Sequence, residues 1–281
     1  MRKRFEISTD SPADLNPELA ARFSVTAVPL TIHIGGKEYK DGVDITPAEM
    51  FRLCDAQKTV PTTSAAPVGD YMDVFSRLAA GADEVLHISL GSKISSTHQN
   101  ALIAAQEIPG VHVVDSGNLS CGISLLVYEA AALRDADYTA AQTAEQLERI
   151  KRRIVTGFVI DTLEYLRRGG RCSMLEALGA NLLGIKPSIE MSEGVLRVAK
   201  KYRGKSREVQ RKFIDDILAQ KENIEPGRAV LCRTGVDEED FRSLRQTVET
   251  ALGGDIITSQ AGCTISAHCG PNCLGFMYLS K

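Results

Sequence analysis

Hydrophobic and polar positions follow two alternating periods along the first half of the chain. Runs of β-forming residues lie at 4–8, 25–34, 84–89 and 111–115, and segments with helical spacing lie at 17–23, 46–55, 70–80, 95–107, 119–133 and 140–152. Strands that alternate with helices are typical of a mostly parallel sheet with helices on both faces. The pattern therefore predicts an α/β protein.

The second half has a different pattern. Residues 182–191 and 195–202 flank Glu193-Gly194 and predict a hairpin, the one clearly antiparallel feature of the chain. Strands are predicted at 154–160, 229–232, 256–259 and 273–279, and helices at 162–168, 205–220 and 238–252. We expect two domains: a three-layer α/β/α parallel-sheet domain over residues 1–153, and an α/β domain with a mixed sheet over residues 154–281.

The composition limits the classes of function. The chain has 281 residues, of which 43% are hydrophobic and 25% charged, with a net charge of -3. No global basic field draws it to nucleic acid, and we expect at most transient membrane contact. The first residues are basic but lack the apolar stretch of a signal peptide, and no run approaches about 18 apolar residues. A cytoplasmic protein, and a monomer, is expected.

Seven cysteines are scattered along the chain, three of them near the C-terminus. Cys263, Cys269 and Cys273 lie close to His268, but their spacing includes no C-x-x-C pair and fits a zinc site poorly. A cytoplasmic location disfavours a disulfide framework. Buried, apolar thiols are the better interpretation, and no metal is predicted.

Three polar segments carry the candidate chemistry. Thr62, Thr63 and Ser64 follow Pro61, the loop at 92–97 joins a predicted strand to a helix, and His268 lies on a predicted turn before a core strand. Hydroxyl groups and one histidine hold a carboxylate or phosphate without being ionised themselves. The loop at 92–97 lies at the carboxyl edge of the parallel sheet, where ligands gather.

Each segment also has a structural interpretation. The hydroxyls at 62–64 are equally those of a turn before a helix, Ser95 and Thr97 are equally helix N-caps, and a lone histidine is more often structural. Asp10 and Asp115 follow strands and either orient the neighbouring loops or cap helices. We interpret the other histidines as structural: His33, His87, His98 and His112.

The motifs of common enzymes are missing from the sequence. It has no G-x-x-x-x-G-K-[ST] phosphate loop, no G-x-S-x-G nucleophile turn and no evident glycosidase carboxylate pair. A binding protein without catalytic residues of its own is the preferred hypothesis. The alternative is an enzyme or kinase-like subunit that acts on a small phosphorylated or keto-sugar substrate.

Eight segments, in order along nearly the whole chain, resemble motifs of the DegV family. They are TDSPADL (9–15), VPL (28–30), PTTS (61–64), SKISSTHQ (92–99), VDS (114–116), LEYLRRGGR (163–171), IKPSI (185–189) and AHCGP (267–271). Each motif is modest by itself, whereas eight in the same order are specific.

The resemblance implies a bacterial fatty-acid-binding protein and no other cofactor. A long-chain acid such as palmitate, stearate or oleate would lie in the C-terminal domain with its carboxylate at the domain interface, and a fatty-acid kinase would phosphorylate it to acyl-phosphate, a precursor of phospholipids. The implied carboxylate contacts are Thr62 or Thr63, Ser92 or Ser95, and His268, with Ser64 as a loop neighbour. Arg171 and Arg203 match arginines implied in kinase docking or charge stabilisation.

Four positions, in two motifs, depart from the family pattern and bear on the head-group contacts. Gly91 stands where the family has a hydroxyl residue, and Ser96 where it has a glycine. Cys269 and Asn272 replace a small polar residue and a glycine in the C-terminal motif. The set of donors around the carboxylate is therefore open at this point.

Overall fold

Strands and helices alternate along the described residues, 5–171 and 184–281, of the computed structural model. The first part contains β1 (Phe5–Asp10), α1 (Pro17–Phe23), β2 (Val25–Val28), β3 (Thr31–Ile34), β4 (Lys37–Lys40), α2 (Pro47–Gln57), β5 (Thr62–Ser64), α3 (Val68–Ala79), β6 (Glu84–Ser89), α4 (Thr97–Gln106), β7 (Val111–Asp115), α5 (Cys121–Asp135) and α6 (Ala140–Ile150). The second contains β8 (Ile154–Val159), α7 (Glu164–Arg168), β9 (Ile185–Ser192), β10 (Val195–Arg203), α8 (Ser206–Leu218), β11 (Ile224–Thr234), α9 (Glu238–Leu252), β12 (Ile257–Gln260), α10 (Cys263–Cys269) and β13 (Cys273–Ser280).

A parallel sheet in the order β2-β1-β6-β7 forms the middle layer of the first part. Side chains on successive positions of a strand point to opposite faces. Ile7 and Leu86 accordingly pack with residues of α5, whereas Val85 packs with Phe75 of α3. Helices α3 and α4 cover one face and α5 and α6 the other. The predicted three-layer parallel arrangement is confirmed.

The second part is built on a mixed sheet in the order β10-β9-β8-β13-β11-β12. The predicted hairpin is confirmed as β9 and β10, with positive φ at Glu193 and Gly194. The prediction that it is the one clear antiparallel feature was wrong, because β8, β11 and β13 also pair antiparallel. Hydrophobic patterning reports which positions are buried and does not name a strand's distant partner. Among the described strands of this sheet, only β11 and β12 pair in parallel.

A third, small antiparallel sheet in the order β4-β3-β5 was not predicted. The run at 25–34 was predicted as one strand, but Pro29 separates β2 from β3, and the two strands enter different sheets. Proline has no N–H to donate to a ladder, so it interrupts pairing. Strand β5, which carries Thr62, Thr63 and Ser64, lies within residues 61–67, for which the sequence predicts a loop.

His268 also differs from the prediction, because it lies in the last turn of α10 and not on a turn between elements. Gly270, at φ 72°, follows this seven-residue helix and ends it. The Gly-Pro pair thus marks a helix C-terminus. This placement fixes the histidine on a rigid element.

Two kinds of feature were sought in the described parts of the chain. No helix there has both the length and the apolar character that a membrane-spanning segment needs. No group of His, Cys, Asp or Glu side chains there has the arrangement of a metal site. Six of the cysteines are free and buried, and Cys172 lies outside the described residues.

Candidate functional site

One cavity of about 270 Å³ lies where segments from both parts of the chain meet. Strand β5, the loop before α4, the segment after α7, and α10 contribute its polar lining. The hydroxyl, imidazole and guanidinium groups come from Thr63, Ser64, Ser95, Ser96, Arg171, Thr264 and His268, and the large apolar side chains are Leu30, Leu90, Ile94, Leu119, Phe158, Leu166, Leu196 and Ile265. The cavity is therefore amphipathic.

Alternation along β5 separates the three predicted hydroxyl residues. Thr62 pairs with His33, whereas Thr63 pairs with Ile32, which packs in a cluster with Cys263 and Ala267 of α10. Only the central residue of the three thus turns its side chain to α10. Thr62 is exposed and outside the cavity lining.

Ser64 lines the cavity, but its hydroxyl has a partner elsewhere. Its Oγ lies 2.9 Å from Nε2 of His33. The two residues occupy the same face of the small sheet, because Ser64 is two positions beyond Thr62. Ser64 was expected to be a loop neighbour of the contact residues, whereas it lies at the end of strand β5.

His268 and Thr63 form the central contact of the site. Nε2 of His268 lies 2.8 Å from Oγ1 of Thr63, and Nδ1 is buried without a partner in the described residues. Gly169 packs against this ring, since a Cβ at position 169 would lie 2.1 Å from Nδ1. Buried N–H groups without a partner are rarer than incompletely satisfied acceptors, which favours a proton on Nε2. Thr63 then accepts from His268 and keeps its own hydroxyl hydrogen for a ligand.

The charge at the site comes from Arg171. Burial lowers the pKa of His268 to about 4, and the positive charge of Arg171 lowers it as well, so the imidazole is neutral at pH 7. Arg171 is the one charged side chain among the described lining residues. It donates from Nη1 to the carbonyl of Gly169 at 2.8 Å and from Nη2 to that of Ile94 at 3.1 Å. A guanidinium has five N–H donors, which leaves some for an anion.

Of the two contact residues predicted in the loop between β6 and α4, one lines the cavity and the other does not. Ser95 lines the cavity, and its Oγ also accepts from the N–H of Thr97, the first residue of α4, at 3.2 Å. The N-cap of α4 is Ser96, so the interpretation of Ser95 or Thr97 as the N-cap was wrong. Ser92 lies outside the lining. Its Oγ donates to Oδ2 of Asp115 at 2.5 Å, and its N–H donates to Oδ1 at 3.0 Å.

Asp10 and Asp115 orient this loop, one of the two roles that their positions predicted. Oδ2 of the buried Asp10 accepts from the N–H of Leu90 at 2.7 Å, and Asp115 holds Ser92 as described. Hydrogen bonds from Ser92 and Gly117 help to hold the pKa of Asp115 below its usual value, against the opposing effect of burial. The carboxylates thus fix the loop from behind.

The apolar end of the cavity continues under the mixed sheet. A further space of about 20 Å³ shares Leu119, Phe158, Ile265 and Cys269 with the main cavity. Its deeper lining includes Cys232, Cys273 and Met277. The predicted buried, apolar cysteines therefore include three that line this inner end.

Arg203, the second predicted arginine, does not join the site. It is exposed at the end of β10, opposite Ile185, and outside the cavity lining. Sequence reasoning missed two residues that shape the site, Gly169 beside the imidazole and Asp41 at the start of α10. Gly169 belongs to a motif that the sequence shares with the family, whereas no motif marks Asp41.

The comparisons with known proteins agree along the full chain. The family model described as "Uncharacterised protein, DegV family" matches residues 4–281. A DegV domain-containing protein of Caldanaerobacter subterraneus subsp. tengcongensis is 33% identical over 286 residues, which cover 99% of this chain and 100% of that protein. The chain belongs to the DegV family.

Two solved structures extend the match with DegV proteins to three dimensions. A DegV family protein from Thermus thermophilus, described for its fatty-acid binding, has a TM-score of 0.89 and 32% identity, with 99% of this chain and 100% of that chain covered. A stearic acid-binding protein from Eubacterium ventriosum has a TM-score of 0.82 and 26% identity, with 99% and 98% covered. The two-domain α/β fold predicted from the sequence is thereby confirmed.

The departure from the DegV pattern at Gly91 has a steric reason here. A Cβ at position 91 would lie 3.0 Å from the backbone nitrogen of Asn118 and 3.1 Å from its carbonyl oxygen. A hydroxyl residue at this position requires the backbone at 117–118 to move. Ser96, the second departure, adds a hydroxyl residue to the lining.

Proposed function

We propose that this DegV protein binds one long-chain fatty acid, with the carboxylate held by the hydroxyl of Thr63 and the guanidinium of Arg171, with His268 orienting that hydroxyl, and with the tail along the apolar lining. The contact between Thr63 and His268 at 2.8 Å, in a cavity with largely apolar walls, is the observation that carries this proposal. Ser95 offers another hydroxyl at the same polar end. The related Thermus protein, described as fatty-acid binding, supports the ligand class.

The energetics of the two ends differ. Burial of an acyl tail contributes about 0.8 kcal/mol per CH₂, so a saturated C16 chain offers on the order of 10 kcal/mol of gross transfer energy. The tail thus supplies most of the affinity. The hydroxyl of Thr63, held in place by the neutral imidazole of His268, orients the carboxylate, while Arg171 provides the opposite charge and is already held by two backbone carbonyls.

We infer that the tail extends mainly into a C-terminal domain of residues 154–281, apart from an N-terminal domain of residues 1–153. All strands of the parallel sheet precede this boundary, and all strands of the mixed sheet follow it. Thr63 and Ser95 come from the first domain, and Arg171 and His268 from the second. The carboxylate would accordingly lie at the interface.

The protein is further proposed to act as a carrier that presents the acid to a fatty-acid kinase, without catalysis of its own. The family resemblance supports this role, as does the position of the exposed Ser64 and Ser96 at the polar end of the cavity. Arg203 is the exposed arginine assigned to docking. For Arg171 we propose contact with the carboxylate as the main role and kinase docking as an additional one.

Mass spectrometry of lipid extracted from the purified protein tests the proposed ligand. We expect a long-chain fatty acid such as palmitate, stearate or oleate at close to one equivalent, and only traces from Phe158→Arg, which places a charge in the apolar lining. A phosphorylated or keto-sugar compound, or no lipid in repeated preparations, would instead favour an enzyme that acts on a small substrate.

A further inference from the structure

A buried carboxylate outside the cavity lining holds the start of the helix that carries His268. Asp41 is 3% exposed. Its Oδ1 accepts from the N–H of Cys263 at 2.8 Å, and its Oδ2 accepts from the N–H of Thr264 at 3.2 Å and from Oγ1 of the same threonine at 2.6 Å. The hydroxyl of Ser11 also donates to Oδ2, at 2.9 Å. Four donors thus converge on one carboxylate.

The same residue is tied to the sheet that carries Thr63. The N–H of Asp41 donates to the carbonyl of Leu30 at 2.9 Å, and the hydroxyl of Ser11 accepts from the N–H of Leu30 at 3.1 Å. Asp41 directly follows β4, which pairs with β3, and β3 pairs with β5. Asp41 therefore links the backbone of α10 to the small sheet on which Thr63 lies.

This link fixes the rotation of α10 about its axis. Successive residues of a helix are about 100° apart around the axis, so a shift by one residue would turn His268 away from Thr63. Asp14 assists on the same turn, since its Oδ1 accepts from the N–H of Gly262 at 2.8 Å. Asp41 has more bonds to the helix, and it alone of the two also bonds the side chain of Thr264.

We propose that Asp41 is a positioning residue for recognition of the carboxylate, acting through α10 on the contact between His268 and Thr63. The inference rests on the proposed function. Asp41→Asn keeps the size of the side chain but replaces one acceptor oxygen by an NH₂ group, which faces N–H and O–H donors in either orientation. The helix start then loses part of its anchor, and the imidazole loses its fixed direction.

The test measures dissociation constants of palmitate and of hexadecanol for the delipidated full chain. Loss of a hydrogen bond to a charged group corresponds to about tenfold or more in affinity. We expect Asp41→Asn to reduce the preference for acid over alcohol about tenfold and to leave hexadecanol affinity within about twofold. Asp237→Asn makes the same chemical change at the N-cap of the remote helix α9; it is the matched control and should keep the wild-type preference.

A second variant and a second measurement keep the inference testable. If Asp41→Asn does not fold, Ser11→Ala takes its place. It removes one donor to Asp41 but keeps the carboxylate, and it should lower the preference for acid over alcohol by a smaller factor. NMR of ¹⁵N-labelled histidine should show a single neutral tautomer for His268 in the wild type and a mixture in Asp41→Asn.

The possible outcomes separate the inference from the function on which it rests. An unchanged preference in Asp41→Asn, or equal loss of acid and alcohol binding, would overturn the positioning role. A wild-type protein that binds both ligands equally would instead refute the proposed carboxylate site, and the inference with it.

Discussion

The Nε2 atom of His268 lies 2.8 Å from the Oγ1 atom of Thr63, although 205 positions separate the two residues in the chain. One comes from the last turn of α10 and the other from the middle of β5. Arg171 completes the arrangement with a positive charge near the neutral imidazole. A fatty-acid carboxylate placed among these three groups would have hydrogen-bond donors and an opposite charge.

The hydroxyl of Thr63 is expected to contact the ligand directly. Thr63→Val preserves the shape of the side chain and removes the donor, so palmitate affinity should fall by about 1.5–3 kcal/mol. Isothermal titration calorimetry with the delipidated protein measures this change. Thr62→Val is the matched control on the other face of the same strand, and its affinity should stay within about 0.5 kcal/mol of wild type. A larger loss of affinity in Thr62→Val than in Thr63→Val would assign the contact to Thr62.

Gly169 is expected to be essential for the direction of the His268 ring. A Cβ at this position would lie 2.1 Å from Nδ1 of His268, so Gly169→Ala forces the imidazole out of its place. Palmitate affinity should then fall at least as far as in His268→Ala. Gly69→Ala, in α3 with open space around the new methyl group, should leave binding unchanged. Wild-type affinity in Gly169→Ala would show that the ring position is not needed.

Burial of neutral His268 makes folding stability depend on pH. Its pKa is about 4 in the folded protein against 6.5 for a free histidine. Between these values the unfolded state binds more protons, so the contribution of His268 is fully present above pH 6.5 and is lost as the pH falls toward 4. The slope is at most about 1.4 kcal/mol per pH unit. Urea unfolding at several pH values should show this slope in the wild type and a smaller one in His268→Gln; identical slopes would refute the buried neutral histidine.

Arg171 and Arg203 should have different functions, ligand binding for the first and kinase docking for the second. Arg171→Gln removes a positive charge beside the imidazole, so the pKa of His268 should rise in an NMR titration and palmitate affinity should fall. Arg203→Gln, at the exposed end of β10, should change neither quantity but should slow acyl-phosphate formation by the kinase to which the protein is proposed to present its ligand. Normal turnover in Arg203→Gln would remove its docking role, and an unchanged pKa in Arg171→Gln would contradict the geometry of the site.

Periodicity and local motifs predicted the parallel sheet, the hairpin of β9 and β10 and most helices, because burial and turn chemistry are recorded in nearby residues. The small sheet escaped prediction because Thr31 and Ser64 pair across the intervening strand β4 and helix α2. Each of the three polar segments singled out in the sequence contributes residues to the lining of the cavity. Which hydroxyl of residues 62–64 faces the cavity depends on the strand register, which the sequence does not reveal. The hydroxyl of Ser92 donates to the carboxylate of Asp115, 23 positions away, and so lies outside the cavity lining.

The buried positioning groups were the least predictable part of the site. Asp41 lies in a polar stretch, DGVD, that is typical of a surface loop, yet its carboxylate accepts hydrogen bonds from residues more than 220 positions later. Its role depends on contacts between distant elements, which hydrophobic patterning does not report. Gly169 depends likewise on the approach of α7 to α10.

The central claim is that the cavity recognises the carboxylate of a long-chain acid, and a paired titration tests it most directly. Delipidated protein is titrated with palmitate and with hexadecanol, which have the same chain length and differ in the head group. The account predicts sub-micromolar to micromolar binding of palmitate and binding of hexadecanol weaker by about tenfold or more. Equal affinities, or no binding of either ligand, would contradict it.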